Sequence, residues 1–118
     1  MEFLCEKMKK LFFAKEYKKK LEGGKKKMTI RKGYPKFKEG QEVEIYAGNE
    51  KIGNAKITKI KVKKFSEITN DEIIKDGFKS KTKLKKALRK HYKTVKANDI
   101  FTLIEFEFKS KNKSKEEK

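Results

Sequence analysis

"NAKITKIKVKKF", residues 54–65, decides the architecture. Apolar side chains alternate along it, as a strand with one buried face requires. The phase then slips: Ala55 and Ile57 are odd, Ile60 and Val62 even. One extra residue in a long strand is the sequence mark of a β-bulge, and bulges bend strands around small barrels. Upstream, "QEVEIYAGNEKIG" (41–53) predicts a strand, a turn centred on Gly48 and Asn49, and the start of the bent strand. "KMTIRKG" (27–33) also alternates, and "YPKFKEG" (34–40), with the chain's one proline, reads as a loop. "DIFTLIEFEF" (99–108) closes the set, with Ile104, Phe106 and Phe108 on one face and Glu105 and Glu107 on the other.

Three segments carry helical spacing. "LFFAKEYKKKLEGG" (11–24) places Phe13, Tyr17 and Leu21 four apart, and Gly23-Gly24 stand where a left-handed C-terminal cap belongs. "SEITNDEIIKDGF" (66–78) predicts a short helix capped near Thr69 or Asn70 and stopped at Gly77. "KTKLKKALRKHY" (81–92) is a second, with Leu84, Leu88 and Tyr92 on one stripe. The order predicts an α+β domain: a small bent β-barrel with an N-terminal helix and two short helices before the last strand. The domain is expected over 9–108. Residues 1–8 are weakly determined, and the tail 109–118, "KSKNKSKEEK", has no apolar residue and is expected to be disordered.

A chain of 118 residues is one domain with one modest core. Charged residues reach 44% and the net charge is +18, yet nine Phe and four Tyr fall in periodic segments, so a folded domain with a charged surface is expected. The basic excess suits a polyanion such as RNA or DNA. Against that, only Arg31 and Arg89 among 35 basic residues are arginine, and a flood of lysine also follows from compositional bias or life at high temperature. Cys5 and His91 are single, which excludes an internal disulfide and a zinc site built from Cys and His, and leaves no reason to expect a metal. Gly23-Gly24 before lysines lacks the P-loop pattern, and nothing calls for a cofactor. No apolar run approaches the roughly 20 residues that cross a bilayer. "MEFLCEKMKK" has an acid where a signal peptide has a basic start, so a cytoplasmic protein is expected.

Gly24, Lys26, Thr29 and Arg31 make the pattern G-x-K-x-x-T-x-R after the first helix. With Gly40 to Val43, Asp76-Gly77-Phe78 and the apolar strand Leu103 to Phe108, the chain resembles the ASCH family of the PUA-like barrel superfamily. The resemblance implies a PUA-like barrel with a cleft between barrel and helices, and RNA as partner. For some small members it implies an amidohydrolase that removes the acetyl group of N(4)-acetylcytidine with a Lys, a Thr and a Glu. The Lys and Thr fall on Lys26 and Thr29, and the acid on Asp76, one methylene shorter than the family's glutamate.

The residues allow that chemistry. A lysine in a dry cleft loses its proton more easily and can activate a threonine, and Asp76 can orient the lysine or shuttle a proton to the leaving amine. In a regular strand, however, positions 26 and 29 face opposite sides, so Lys26 must lie in the turn after Gly24. For nucleic-acid contact the candidates are Lys25, Lys26, Lys27 and Arg31, the stacking ring of Tyr34 beside Lys36, and Lys85 and Arg89 on the basic face of the last helix. A solvated surface explains such lysines equally well. Three readings stand: an RNA-binding domain, a nucleoside amidohydrolase, and an interaction module with no ligand of its own.

Overall fold

The computed structural model of the chain describes residues 8–110. Five strands form one strongly curved sheet: β1 (Lys9–Phe13), β2 (Met28–Lys32), β3 (Glu42–Ala47), β4 (Glu50–Lys64) and β5 (Ile100–Ser110). Three short helices accompany it: α1 (Lys18–Glu22), α2 (Asn70–Lys75) and α3 (Lys81–Leu88). The strand order is β1-β3-β4-β5-β2. All pairings are antiparallel except β1 with β3, which is parallel.

The phase slip of 54–65 is a bulge. Ile57 pairs with Phe106 and Lys59 with Glu105, which leaves Thr58 extra on β4. A second slip on the same strand leaves Ile52 extra, between the pairs Ile45–Gly53 and Tyr46–Lys51. Two bulges on the longest strand increase its twist and roll the sheet into a half-barrel. Gly53 lies at its tightest point: a Cβ there would sit 2.2 Å from the Lys109 carbonyl oxygen, so no other residue fits.

The sheet is apolar on both faces. Leu11, Phe13, Val43, Ile45, Ile57, Ile104 and Phe106 fill the concave side, where Leu21 of α1 joins them. Met28, Ile30, Phe101 and Leu103 pack on the other side with Phe65, Ile73 of α2, and Leu84 and Leu88 of α3. This is why "IFTLI" reads as a nearly unbroken apolar run.

The structure differs from the sequence expectation at both ends. Residues 9–13 form an edge strand, and the helix expected over 11–24 shrinks to a 3-10 turn at Lys15–Tyr17 followed by α1. Leu11 and Phe13 are two apart and both buried, so period-two burial against β3 overrides the spacing of four. At the other end β5 takes in Lys109 and Ser110, which pair with Asn54 and Gly53, so the strand passes the expected boundary at 108. Residues 1–7, with Cys5, and 111–118 lie outside the described residues. Among the described residues no helix is long and apolar enough to cross a membrane, and no group of three His, Cys, Asp or Glu could hold a metal ion.

Helix α2 starts and stops as its sequence dictates. The Thr69 hydroxyl accepts from the Glu72 N–H and the Glu72 carboxylate accepts from the Thr69 N–H, a reciprocal cap. Gly77, at φ +91°, ends it. Asp76 is thereby fixed at the last turn.

Candidate functional site

The half-barrel leaves two free edges, β1 and β2, and the site lies at the seam between them. Arg31 of β2 donates from Nη2 to the Phe12 carbonyl of β1 at 2.8 Å, which ties the two edges together. Beside this tie a cavity of about 180 Å³ opens. Its walls come from four places: Phe12, Phe13 and Tyr17 at and just after the end of β1, Lys26, Thr29, Ile30 and Arg31 around the start of β2, Asp76 and Phe78 after α2, and Leu88, His91 and Tyr92 at and just after the end of α3. That volume is below the roughly 300–1,000 Å³ of sites for drug-sized ligands and suits one planar ring or a small group.

Lys26 lies in the turn before β2 begins, which frees it from the pleat that would turn it away from Thr29. It is 4% exposed, and Asp76 is 3% exposed. The Lys26 ammonium donates to the Asp76 carboxylate Oδ1 and, at 2.9 Å, to the Asp76 carbonyl oxygen. Three rings enclose it, with centroids 4.9 Å away for Tyr17, 5.5 Å for Phe78 and 5.6 Å for Phe13. Burial drives the Asp76 carboxyl up to about 6, against the pull of Lys26. Burial likewise pushes the Lys26 amine down, with Asp76 opposing. Desolvation disfavours each charge, while the opposite charge beside it favours it.

Thr29 and Arg31 share a face of β2, opposite to the buried Met28 and Ile30. The Arg31 Nε donates to the Thr29 hydroxyl at 2.9 Å. Its guanidinium carbon lies 5.1 Å from the Phe13 ring centroid. The hydroxyl is thus held by an arginine and keeps its own proton free to donate. No hydrogen bond joins Lys26 to Thr29 among the described residues; the two line one cavity through separate partners.

The remaining candidates lie farther out. Lys25 and Lys27 are exposed and line an open depression with Phe78, outside the cavity wall. Tyr34 is 70% exposed and Lys36 is exposed, both in the loop after β2 and absent from the cavity lining. Lys85 on α3 is half-buried and Arg89 exposed, and neither reaches the cavity. The sequence reading missed the aromatic enclosure. Tyr17 looked like one rung of a helix stripe, Tyr92 like another, and His91 seemed idle. The signal for them was their nearness to element ends, where chains turn into a cleft.

With this geometry in view, comparison with known proteins identifies the family. The family model for the ASCH domain matches residues 6–109, almost the whole chain. The chain belongs to the ASCH-domain family. Solved structures share its fold. A protein from Enterococcus faecalis V583 superposes with a TM-score of 0.73 at 13% identity, over 91% of this chain and 84% of that one. An ASCH domain from Lactobacillus crispatus JV V101 gives 0.73 at 15%, over 87% and 80%. The ASCH protein from Zymomonas mobilis gives 0.64 at 16%, over 83% and 65%. No curated protein matches the chain in sequence. At these identities what this ASCH domain shares with the three structures is the fold.

Proposed function

We propose that this ASCH domain binds RNA and holds one unstacked base in the seam cavity. The observation that carries the reading is the buried Lys26–Asp76 pair in the wall of an aromatic-lined cavity. A buried ion pair contributes little to stability over an apolar pair of the same size. A desolvated, strongly shifted pair in a cleft is instead a mark of a functional site. Lys26 and Arg31 offer donors and Asp76 an acceptor, a mixed set suited to the polar edge of a base, while Tyr17 and Phe78 offer apolar ring surface. The test is fluorescence anisotropy of a short labelled single-stranded RNA at two salt concentrations. Micromolar binding at low salt that weakens steeply with salt supports the reading, as does its loss in Lys26→Met. No binding at low salt would end it.

One observation favours a second reading, an amidohydrolase acting on an acylated nucleoside such as N(4)-acetylcytidine. Thr29 is 4% exposed, its hydroxyl is held by Arg31, and it lines the same cavity as the shifted pair. In the neutral form of the pair the proton resides on Asp76 and Lys26 is a free amine. That amine can take the proton of Thr29 as its oxygen attacks the acyl carbon, and Asp76 can protonate the departing nitrogen. Water then releases the acyl group from Thr29. Lys26 is bonded to Asp76 instead of Thr29, so substrate entry must bring the amine to the hydroxyl. Chromatography of N(4)-acetylcytidine incubated with the protein decides: cytidine from wild type and none from Lys26→Met or Thr29→Val supports catalysis.

A further inference from the structure

The cavity does not end at its mouth. Two open depressions adjoin it, of about 740 Å³ and 470 Å³. They meet along Lys20, Phe78 and Lys83, and the smaller one shares Tyr17, Phe78 and Ala87 with the cavity. Together they make one groove that runs from the turn before β2, past the cavity mouth at Phe78, to the end of α3.

The charge of this groove is one-sided. Lys25, Lys27, Lys79, Lys83, Lys86 and Lys90 line it and make no ion pair with any described carboxylate. Glu16 is the one acid along it. Two further lysines along it are engaged: Lys75 with Glu105, and Lys20 with the Gly77 carbonyl. Unpaired cations in a concave surface focus a positive potential.

Resting on the reading that the cavity takes a base, we propose that its ligand is a single-stranded polynucleotide, not a free nucleoside, with the phosphates that flank the inserted base lying along the lysine groove. A free nucleoside fills the cavity and leaves these lysines without a role. A strand satisfies them. It must be single-stranded at this point, because a base can enter the cavity only out of its stack.

Anisotropy of a labelled twelve-nucleotide RNA, titrated at several salt concentrations, tests this in full-length protein. Lys83→Gln/Lys86→Gln removes two groove charges. Lys56→Gln/Lys59→Gln removes two exposed charges from β4, away from the groove. The groove variant should bind roughly tenfold more weakly at low salt, with a salt slope lowered by about 1.4, two contacts at about 0.7 each. The β4 variant should stay within about twofold of wild type, as charges outside the contact surface do. Equal losses in both would mean diffuse attraction and overturn the groove. If Lys26→Met weakens binding while the groove variant binds like wild type, the cavity reading stands and the groove falls. The reverse result keeps the groove and removes the cavity. Displacement of the strand by unlabelled cytidine at the strand's own concentration would also overturn the polymer as ligand. A DNA strand of the same sequence, run in parallel, tells whether the 2′-hydroxyl is read.

Discussion

Helix α2 carries a buried acid at each end, and the two live in opposite conditions. Glu72, in the first turn, is held by Lys61 at 3.1 Å, by Lys63 at 2.8 Å and by the Thr69 N–H. Burial alone would raise its carboxyl, but these partners bring it down to about 2. Asp76, at the last turn, has one buried lysine and, among the described residues, no second cation within bonding distance, and burial takes it up to about 6. The helix dipole adds to the contrast, favouring negative charge at the first turn and opposing it at the last. Glu72 is a satisfied charge that fastens α2 to β4. Asp76 is an under-satisfied charge facing a cavity. Residues four apart in sequence thus separate a well-satisfied ion cluster from a desolvated pair in a cavity wall, and partner count and desolvation make the difference.

The largest expected effect is that of Lys26→Met. It leaves Asp76 buried without its cation, which costs about 3–5 kcal/mol when the carboxylate stays charged. Asp76 escapes by taking a proton, so urea melts should show the deficit at pH 8 and much less of it at pH 5. A deficit below about 1 kcal/mol at both pH values would class the pair with surface ion pairs and dissolve the contrast. Next comes Glu72→Gln, which weakens charged hydrogen bonds worth about 1.5–3 kcal/mol each. Stability should fall by that order while RNA affinity is kept; a matching loss of affinity would mean that both ends of α2 serve the site.

The pH dependence should split in sign. Asp76 binds its proton more readily folded, near 6, than at its ordinary 3.8. Its contribution is full below pH 3.8 and is lost as pH rises through 6. Glu72, near 2 against an ordinary 4.5, contributes above pH 4.5 and loses that as pH falls through 2. Melting temperatures across pH 2–7 should therefore lose their downward limb between about pH 4 and 6 in Asp76→Asn, and their acid-side limb in Glu72→Gln. Exchange of these two outcomes would reverse the assignment. The smallest effect on folding belongs to Thr29→Val, which gives up a single charged hydrogen bond, from Arg31, about 1.5–3 kcal/mol, where Glu72→Gln weakens several. It should nonetheless abolish turnover of N(4)-acetylcytidine if the hydroxyl is the nucleophile.

The bent sheet was legible because a bulge writes itself into the sequence: the slip between Ile57 and Ile60 has no other cheap explanation in a strand. The ends of α2 were legible for the same reason, since a cap at Thr69 or Asn70 and a stop at Gly77 act on neighbours in the chain; the structure chooses Thr69 and adds Glu72 as its reciprocal partner. Strand β1 was not. Its partner β3 lies more than 30 positions away, and Phe13, Tyr17 and Leu21 satisfy a helical spacing by coincidence. Of the site, Lys26, Thr29, Arg31 and Asp76 were visible through one motif and one helix end. Their pairing was visible only in part: sequence allowed Asp76 to orient Lys26 but also put Lys26 on Thr29, whereas the fold gives Lys26 to Asp76 and Arg31 to Thr29. The rings of Tyr17, Phe78 and Tyr92 come from separate elements, and only tertiary structure assembles them.

The Arg31 tie across the seam has a consequence for how the molecule breathes. Among the described residues strand β1 pairs with β3 alone, and beyond that the Phe12 carbonyl is held by a single guanidinium. Edge strands with one partner open at lower free energy than the rest of a sheet. Amide protons of β1 should therefore exchange with solvent sooner than those of β5, which is flanked on both sides. Since Phe12 and Phe13 also wall the cavity, each such opening briefly uncovers it, and an occupant should slow exchange along β1 while leaving β4 and β5 as they were.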